Sequence, residues 1–288
     1  MDFAAILGLD VLSGVTSLVL ISLGLAIIFG MMKVINLAHG EFLMLGAYAT
    51  VITANLGLNV WVAMLVVSPL FVGLVGLVVE RGLIRFLYGR LVDTMLATWG
   101  LSLALVGLIT TLFGNTIKGV SAPLGGFSVG AYKSSLYTLF LAAMALLLFV
   151  IIVLVLRRTR FGLIARATMQ NPNMAAALGV NPSLVYMVTF AVGSAVTGLA
   201  GGLLAPVSGV LPTMGSAFIA KAFITVVGGG SAILAGTASA GLLFGTINQM
   251  ASFVTTPVFG EVILFASAIV LIRLMPQGIT GRFFRGGL

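Results

Sequence analysis

The chain has 288 residues, of which 60% are hydrophobic and 7% charged, with a mean hydropathy of +1.26; an ordinary soluble domain is about 25% charged. A soluble fold is excluded, and the lack of cysteine together with a single histidine excludes disulfides, thiolate chemistry, sulfur-ligated metals and histidine-cluster metal sites. The net charge of +8 comes mainly from arginines in three groups, Arg81–Arg90, Arg157–Arg166 and Arg273–Arg285, each after an apolar run; this is the positive-inside pattern of cytoplasmic membrane loops, not a nucleic-acid patch.

The first residues, Met1–Ala5, lack a basic n-region, so the first apolar segment reads as a retained span. A membrane helix needs about 20 apolar residues, and Leu9–Met31 supplies them. A polar stretch follows, Val34–Glu41, holding Asn36, His39 and Glu41, and then the apolar run Phe42–Leu56. Trp61–Val79 is a third span, Arg81–Asp93 a cytoplasmic loop and Thr94–Phe113 the next crossing. Gly114–Ser135 reads as the main outer loop, Leu136–Leu156 as the return, Arg157–Ser183 as a long cytoplasmic loop and Leu184–Ala205 as a further crossing. Ala217–Val227 is too short to span straight, and Gly228-Gly229-Gly230 should break the helix, since each glycine costs roughly 1 kcal/mol against alanine. Ile233–Phe253 and Val262–Met275 close the chain. The expected fold is an all-α polytopic bundle of eight or nine spans with broken or re-entrant helices, one transmembrane domain over residues 1–288, with the Arg157–Ser183 loop and the C-terminus cytoplasmic.

Two stretches resemble each other. Gly24–Tyr48 and Gly193–Val227 each place a glycine-bearing helix before a break and another apolar segment. Corresponding broken helices point to a transport path at mid-membrane. Gly198-x-x-x-Gly202 and Gly241-x-x-x-Gly245 fit close helix–helix approach, with pore lining as the other reading.

No catalytic constellation appears. There is no phosphate-binding Gly-rich lysine motif, no paired carboxylates and no zinc motif, so any ATP must be hydrolysed elsewhere. His39 and Glu41 have two open readings. They lie at a helix end near the cytoplasmic surface, solvated or paired with Lys33; or, with Asn36, they cap the next helix and shape a path, for which Tyr48, Thr98, Gly228 and Gly229 are further candidates. Ionisable groups at bilayer depth cost about 2.5–3.5 kcal/mol each and usually face a bundle interior or water-filled path. In the cytoplasmic loop, Asn171-Pro172 is an N-cap followed by proline at the first helical position. Met174, Ala175, Ala177 and Leu178 form an apolar face, and Gly179 is the stop. A helix of about two turns cannot stand alone in water, so it docks: on the bilayer, on this protein's own inner face, or on a cytoplasmic partner.

The stretch Gly24–Tyr48, with Ile35-Asn36-Leu37-Ala38-His39-Gly40-Glu41 and Met44-Leu45-Gly46-Ala47-Tyr48, resembles the first block of permeases of the branched-chain amino acid and urea class of ABC importers. Arg160-Phe161-Gly162, Arg166-Ala167, Gln170-Asn171 and Met174–Asn181 resemble that family's ATPase-contacting loop, and Pro276–Ile279 its closing motif. Asp93–Leu103 and Arg85–Arg90 look closer to the urea-type branch, although Leu91 stands where that branch often has proline.

The resemblance implies an integral subunit, itself no enzyme, of a binding-protein-dependent importer in the cell inner membrane. It would pair with a second, similar permease. Two ATPase subunits would hold ATP and Mg, and an extracytoplasmic solute-binding protein would deliver urea, a short amide or a branched-chain amino acid. It also implies that Arg160, Gly162, Arg166, Asn171, Met174, Ala175, Leu178 and Gly179 form the coupling surface for the ATPase. The competing class is an ion-gradient-driven transporter or channel working alone, for which Glu41 and Glu261 are the candidate membrane acids.

Overall fold

A computed structural model describes residues 2–129, 132–230 and 232–283. The elements are almost all helices. α1 runs over Asp2–Met32 and α2 over His39–Asn55. A single turn, α3 (Val60–Val62), passes through a π-helical stretch (Ala63–Val67) into α4 (Ser68–Gly82), and a short 3₁₀ turn (Ile84–Leu87) leads to α5 (Leu91–Phe113). A hairpin of β1 (Gly126–Val129) and β2 (Tyr132–Ser135) precedes α6 (Leu136–Arg158). Then come α7 (Arg160–Gln170), α8 (Pro172–Ala177), α9 (Pro182–Ser208), α10 (Met214–Gly229), α11 (Ile233–Val254), α12 (Pro257–Leu274) and α13 (Gly278–Phe283).

The all-α polytopic class expected from the sequence is the one observed. Among the described residues six helices are long and apolar enough to cross a membrane: Ala5–Met32, Val60–Gly82, Leu91–Phe113, Leu136–Arg158, Pro182–Ser208 and Pro257–Gly281. A seventh crossing arises if α10 and α11, bent by 118° at the glycine break, make one broken span. This is fewer than the eight or nine expected, for two reasons. The segment after the polar break forms a helix of 17 residues, only about 26 Å long. The two sides of the glycine break, counted apart in the sequence, count once where they make one bent span.

Two further departures concern loops. Part of the Gly- and Ser-rich outer loop pairs as the antiparallel hairpin, Gly126 opposite Ser135. Much of Arg157–Ser183 is helical. Thr159 caps α7 by accepting from the Gly162 amide at 3.1 Å, and the helix buries Gly162, Ala165 and Thr168 on one face.

The chain divides into two compact units. One comprises residues 23–121 and 149–219, and its core lies where α2, α4 and α9 meet. α2 buries Phe42, Leu43, Met44, Ala47, Tyr48 and Val51. In lipid the hydrophobic effect does not press helices together, so small residues and hydrogen bonds must do so. A Cβ on Gly46 would lie 2.2 Å from the Gly198 carbonyl oxygen, closer than any side chain tolerates. The Ser68 hydroxyl sits 2.6 Å from that carbonyl and 3.0 Å from the Gly46 carbonyl, its one proton shared between them. Three helices thus meet at one serine. Gly198-x-x-x-Gly202 is a packing motif here: a Cβ on Gly198 would meet Val72 at 2.5 Å, and one on Gly202 would meet Thr50 at 2.7 Å.

The other unit comprises residues 1–22, 122–148 and 220–288. α11 and α12 pack against each other. Gly241 and Gly245 face α1, where an added Cβ would meet Val19 at 2.7 Å and Val15 at 2.6 Å. Lys221 of α10 donates to the Glu261 carboxylate of α12 in an ion pair. The pairing engages one of the two candidate membrane acids.

Candidate translocation site and coupling helix

The polar break occupies residues 33–38, between α1 and α2. Lys33 ends α1 in the left-handed region, at φ +53°, and is exposed. Asn36 folds back on its own backbone: its Oδ1 accepts from the Ala38 amide at 3.0 Å, and its carbonyl accepts from the His39 amide at 3.3 Å. Thr98 of α5 fixes the loop from outside, its hydroxyl accepting from the Leu37 amide at 3.0 Å while donating to the Thr94 carbonyl at 2.9 Å. Thr98 is therefore an anchor whose hydroxyl is already used.

His39, Gly40 and Glu41 open α2 and are all buried. His39 is 0% and Glu41 3% exposed, which overturns the solvated reading, and Glu41 forms no ion pair with Lys33 among the described residues. His39 Nδ1 lies 3.4 Å from the Thr197 hydroxyl of α9, which itself donates to the Gly193 carbonyl at 2.8 Å. Gly40 allows the first turn of α2 to touch the start of α10, where an added Cβ would lie 2.1 Å from the Gly215 carbonyl oxygen. The Ser102 side chain of α5 lies beside the Glu41 carboxylate, whose Oε2 has no hydrogen-bond partner. Tyr48, two turns further on, stacks on Phe113 of α5 with ring centroids 5.3 Å apart. Its hydroxyl, like Asn36 Nδ2, is buried and unpartnered.

Asn36, His39, Glu41, Tyr48 and Thr98 thus come together in one unit. Gly228 and Gly229 belong to the other. There α10 continues through Gly229, and the turn falls at Gly230, φ +85°. A Cβ on Gly228 would meet the Phe244 ring at 2.8 Å, and one on Gly229 would meet the Gly236 backbone at 2.4 Å, so both are close-packing positions. Thr280 of α13 holds this break: its hydroxyl accepts from the Ala232 amide at 3.0 Å and donates to the Gly229 carbonyl at 2.6 Å.

Sequence reasoning left out Ser102 and Thr197. Their signals are small hydroxyl residues at helical spacing on otherwise apolar runs: Thr98 and Ser102, then Ser194 and Thr197. A second buried acid lies at the far end of α4. Glu80 is 1% exposed and accepts from the Tyr88 hydroxyl, and the Tyr88 ring lies 5.0 Å from that of Tyr186 on α9. Burial first, then the Glu80 carboxylate, push the Tyr88 phenol well above its ordinary range.

The short loop helix is built as its residues require. Asn171 Oδ1 accepts from the Met174 amide at 3.0 Å, Pro172 occupies the first turn, and Gly179 stops the helix at φ +87°. The Val180 amide closes the end on the Ala175 carbonyl at 3.0 Å. Met174 and Leu178 are 59% and 78% exposed, whereas Ala175 is 3% exposed. Ala175 thus packs against this protein, and Met174 and Leu178 alone of that apolar set are exposed large side chains. Arg160 is exposed. Arg166 is half-buried, its Nε donating to the Gly162 carbonyl at 3.2 Å, and Gly162 lies so close to the end of α6 that a Cβ would sit 2.3 Å from the Leu156 carbonyl oxygen.

Six helices long and apolar enough to cross a membrane, with a helix break in each unit, fit the class of multi-pass membrane proteins. The sequence comparisons give the family. Residues 8–272 match the model of the branched-chain amino acid transport system / permease component family, and the chain belongs to that family. It is 30% identical over 288 residues to the high-affinity branched-chain amino acid transport system permease protein LivH of Salmonella typhimurium, and equally to that of Escherichia coli, covering 91% of each chain. It is 29% identical over 282 residues to BraD of Pseudomonas aeruginosa, a permease protein of the same description, again over 91% of each chain. No solved structure matches. The chain is accordingly a transport permease component, not an enzyme.

Proposed function

We propose that this chain is one of two homologous permeases in an ATP-driven importer of the inner membrane, with residues 157–183 and the C-terminus on the cytoplasmic side. Two ATPase subunits hold ATP and Mg there, and a solute-binding protein outside delivers the cargo. The observation that carries this reading is α8: a locally capped helix of six residues presenting Met174 and Leu178 to the outside. So short a helix has no stability of its own, and two exposed apolar side chains one turn apart suit a groove on a partner. Closure of the ATPases would push on this knob, and α9, which follows it in the chain, would carry the movement to the α2–α9 contact. The cargo is a small solute bearing N–H groups, a branched-chain amino acid by analogy with LivH and BraD. The resemblance of Asp93–Leu103 to the urea-type branch favours urea or a short amide as the second reading.

In proteoliposomes holding the whole assembly, Met174→Asp with Leu178→Asp should cut solute moved per ATP hydrolysed at least tenfold while the chain still inserts. Unchanged coupling would remove α8 from the docking surface. Uptake by the purified chain alone, driven by an ion gradient, would establish the competing class.

A further inference from the structure

α2 and α5 run side by side, and their contacts progress in step: the Leu37 amide with Thr98, Glu41 with Ser102, Tyr48 with Phe113. Glu41 and Tyr48 are seven residues apart, hence on one face of α2 and roughly 10 Å apart along it. Three buried polar atoms of α2 and the loop before it have no hydrogen-bond partner: Asn36 Nδ2, Glu41 Oε2 and Tyr48 Oη. Their residues are 1%, 3% and 1% exposed. Most buried polar atoms are paired, because an unpaired one forfeits its solvation for nothing. In an apolar bundle such a group is a functional-site candidate by default.

The chemistry of the set is specific. A carboxylate oxygen accepts only, a carboxamide nitrogen donates only, and a phenol does either. Such a set is complementary to a molecule with N–H groups at one place and an oxygen at another. An amino acid, with its ammonium and carboxylate, fits this description, and so does an amide, with its NH₂ and carbonyl. We propose that the α2–α5 seam is the solute subsite of this permease, with Glu41 Oε2 accepting from the solute's N–H groups and Asn36 Nδ2 and the Tyr48 hydroxyl completing its polar shell. The inference rests on the transport reading above and adds to it the residues that touch cargo. Thr98, whose hydroxyl is occupied, lies outside the set and positions the loop. The structural alternative is that Glu41 serves only the N-terminus of α2, where a carboxylate is favoured by the helix dipole. That role needs a negative charge in the first turn; it does not account for Asn36 Nδ2 and Tyr48 Oη, which are buried and unpartnered as well.

The test uses the full assembly in proteoliposomes, with uptake of radiolabelled L-leucine and of urea measured in separate arms. The arm that wild type transports identifies the N–H source. Glu41→Gln, which keeps the shape and removes the charge, should lower the solute moved per ATP at least tenfold if the cargo is leucine and about threefold to tenfold if it is urea. Hydrolysis stimulated by the loaded binding protein is measured alongside, so that lost transport is told apart from lost assembly. Glu41→Asp should retain at least a third of the transport ratio, and Tyr48→Phe should lose about twofold to fivefold. A wild-type ratio in Glu41→Gln overturns the assignment. So does a Glu41→Asp protein as inactive as Glu41→Gln that has also lost its stimulated hydrolysis, because the carboxylate would then be structural. The transport reading fails on a different result, wild-type uptake that needs no ATP; the effect of Glu41→Gln on that uptake would still decide the subsite.

Discussion

Each compact unit contains a helix break held by a threonine hydroxyl from another helix of the same unit. Thr98 of α5 holds the Leu37 amide in one; Thr280 of α13 holds both the Ala232 amide and the Gly229 carbonyl in the other. The materials around the two pins differ. The first break is lined with side chains that can ionise or hydrogen-bond, Asn36, His39 and Glu41, all buried. The second is built of glycine, with backbone against backbone: a Cβ on Gly230 would lie 2.3 Å from the Gln277 carbonyl oxygen. Interrupting a helix in an apolar interior frees amides and carbonyls that must be satisfied internally. Polar side chains can do this at the first break and leave atoms over for a ligand. At the second the Thr280 hydroxyl satisfies the Ala232 amide and the Gly229 carbonyl, and Gly228–Gly230 have no side chain with which to meet one.

The contrast can be broken in order of expected effect. Gly230→Val adds a branched side chain at φ +85° against a carbonyl that cannot move away; it should cost about 4 kcal/mol from strain and overpacking together. The detergent unfolding midpoint should fall accordingly, and a midpoint near wild type would mean the glycine break is not tightly packed. Thr280→Val strands two buried backbone groups and should cost about 3 kcal/mol, whereas Thr98→Val strands the Leu37 amide alone and should cost about 1.5 kcal/mol. Paired denaturation curves would test this order, and the reverse would contradict the two-bond pin at Gly229. Lys33→Gly should act in the opposite direction. It relieves a left-handed residue at the rim of the polar break and should stabilise by roughly 0.5 kcal/mol, read as a small rise in the same midpoint.

The short loop helix was the most legible part of the sequence, because its cap, proline and glycine are neighbours in the chain and their effects are local. The first break was legible as a location, since polar residues between apolar runs stand out. Its internal arrangement was not: Thr98, Ser102 and Thr197 reach it from helices about 60 to 160 residues away in sequence. Burial of His39 and Glu41 likewise depends on how α2 packs, and both a solvated end and an interior position fit the same residue string. The outward face of α8 shows the limit of periodicity on so short an element. Ala175 and Leu178 are three residues apart and could share a stripe, yet the chain's own packing takes Ala175 inward. The span count has the same origin, since the 118° bend between the segments flanking the glycines is visible only in the fold.

The π-helical stretch at Ala63–Val67 has a bearing on ancestry and engineering. A π turn amounts to one extra residue carried within an α-helix, and one residue corresponds to about 100° of rotation about the axis. The seat of Ser68 between the Gly46 and Gly198 carbonyls depends on that swivel. A relative lacking this single-residue insertion would present a different side of the rod to α9, so alignments across this stretch must admit a gap there, and chimaeras joined within it would inherit a phase error that no substitution downstream could repair.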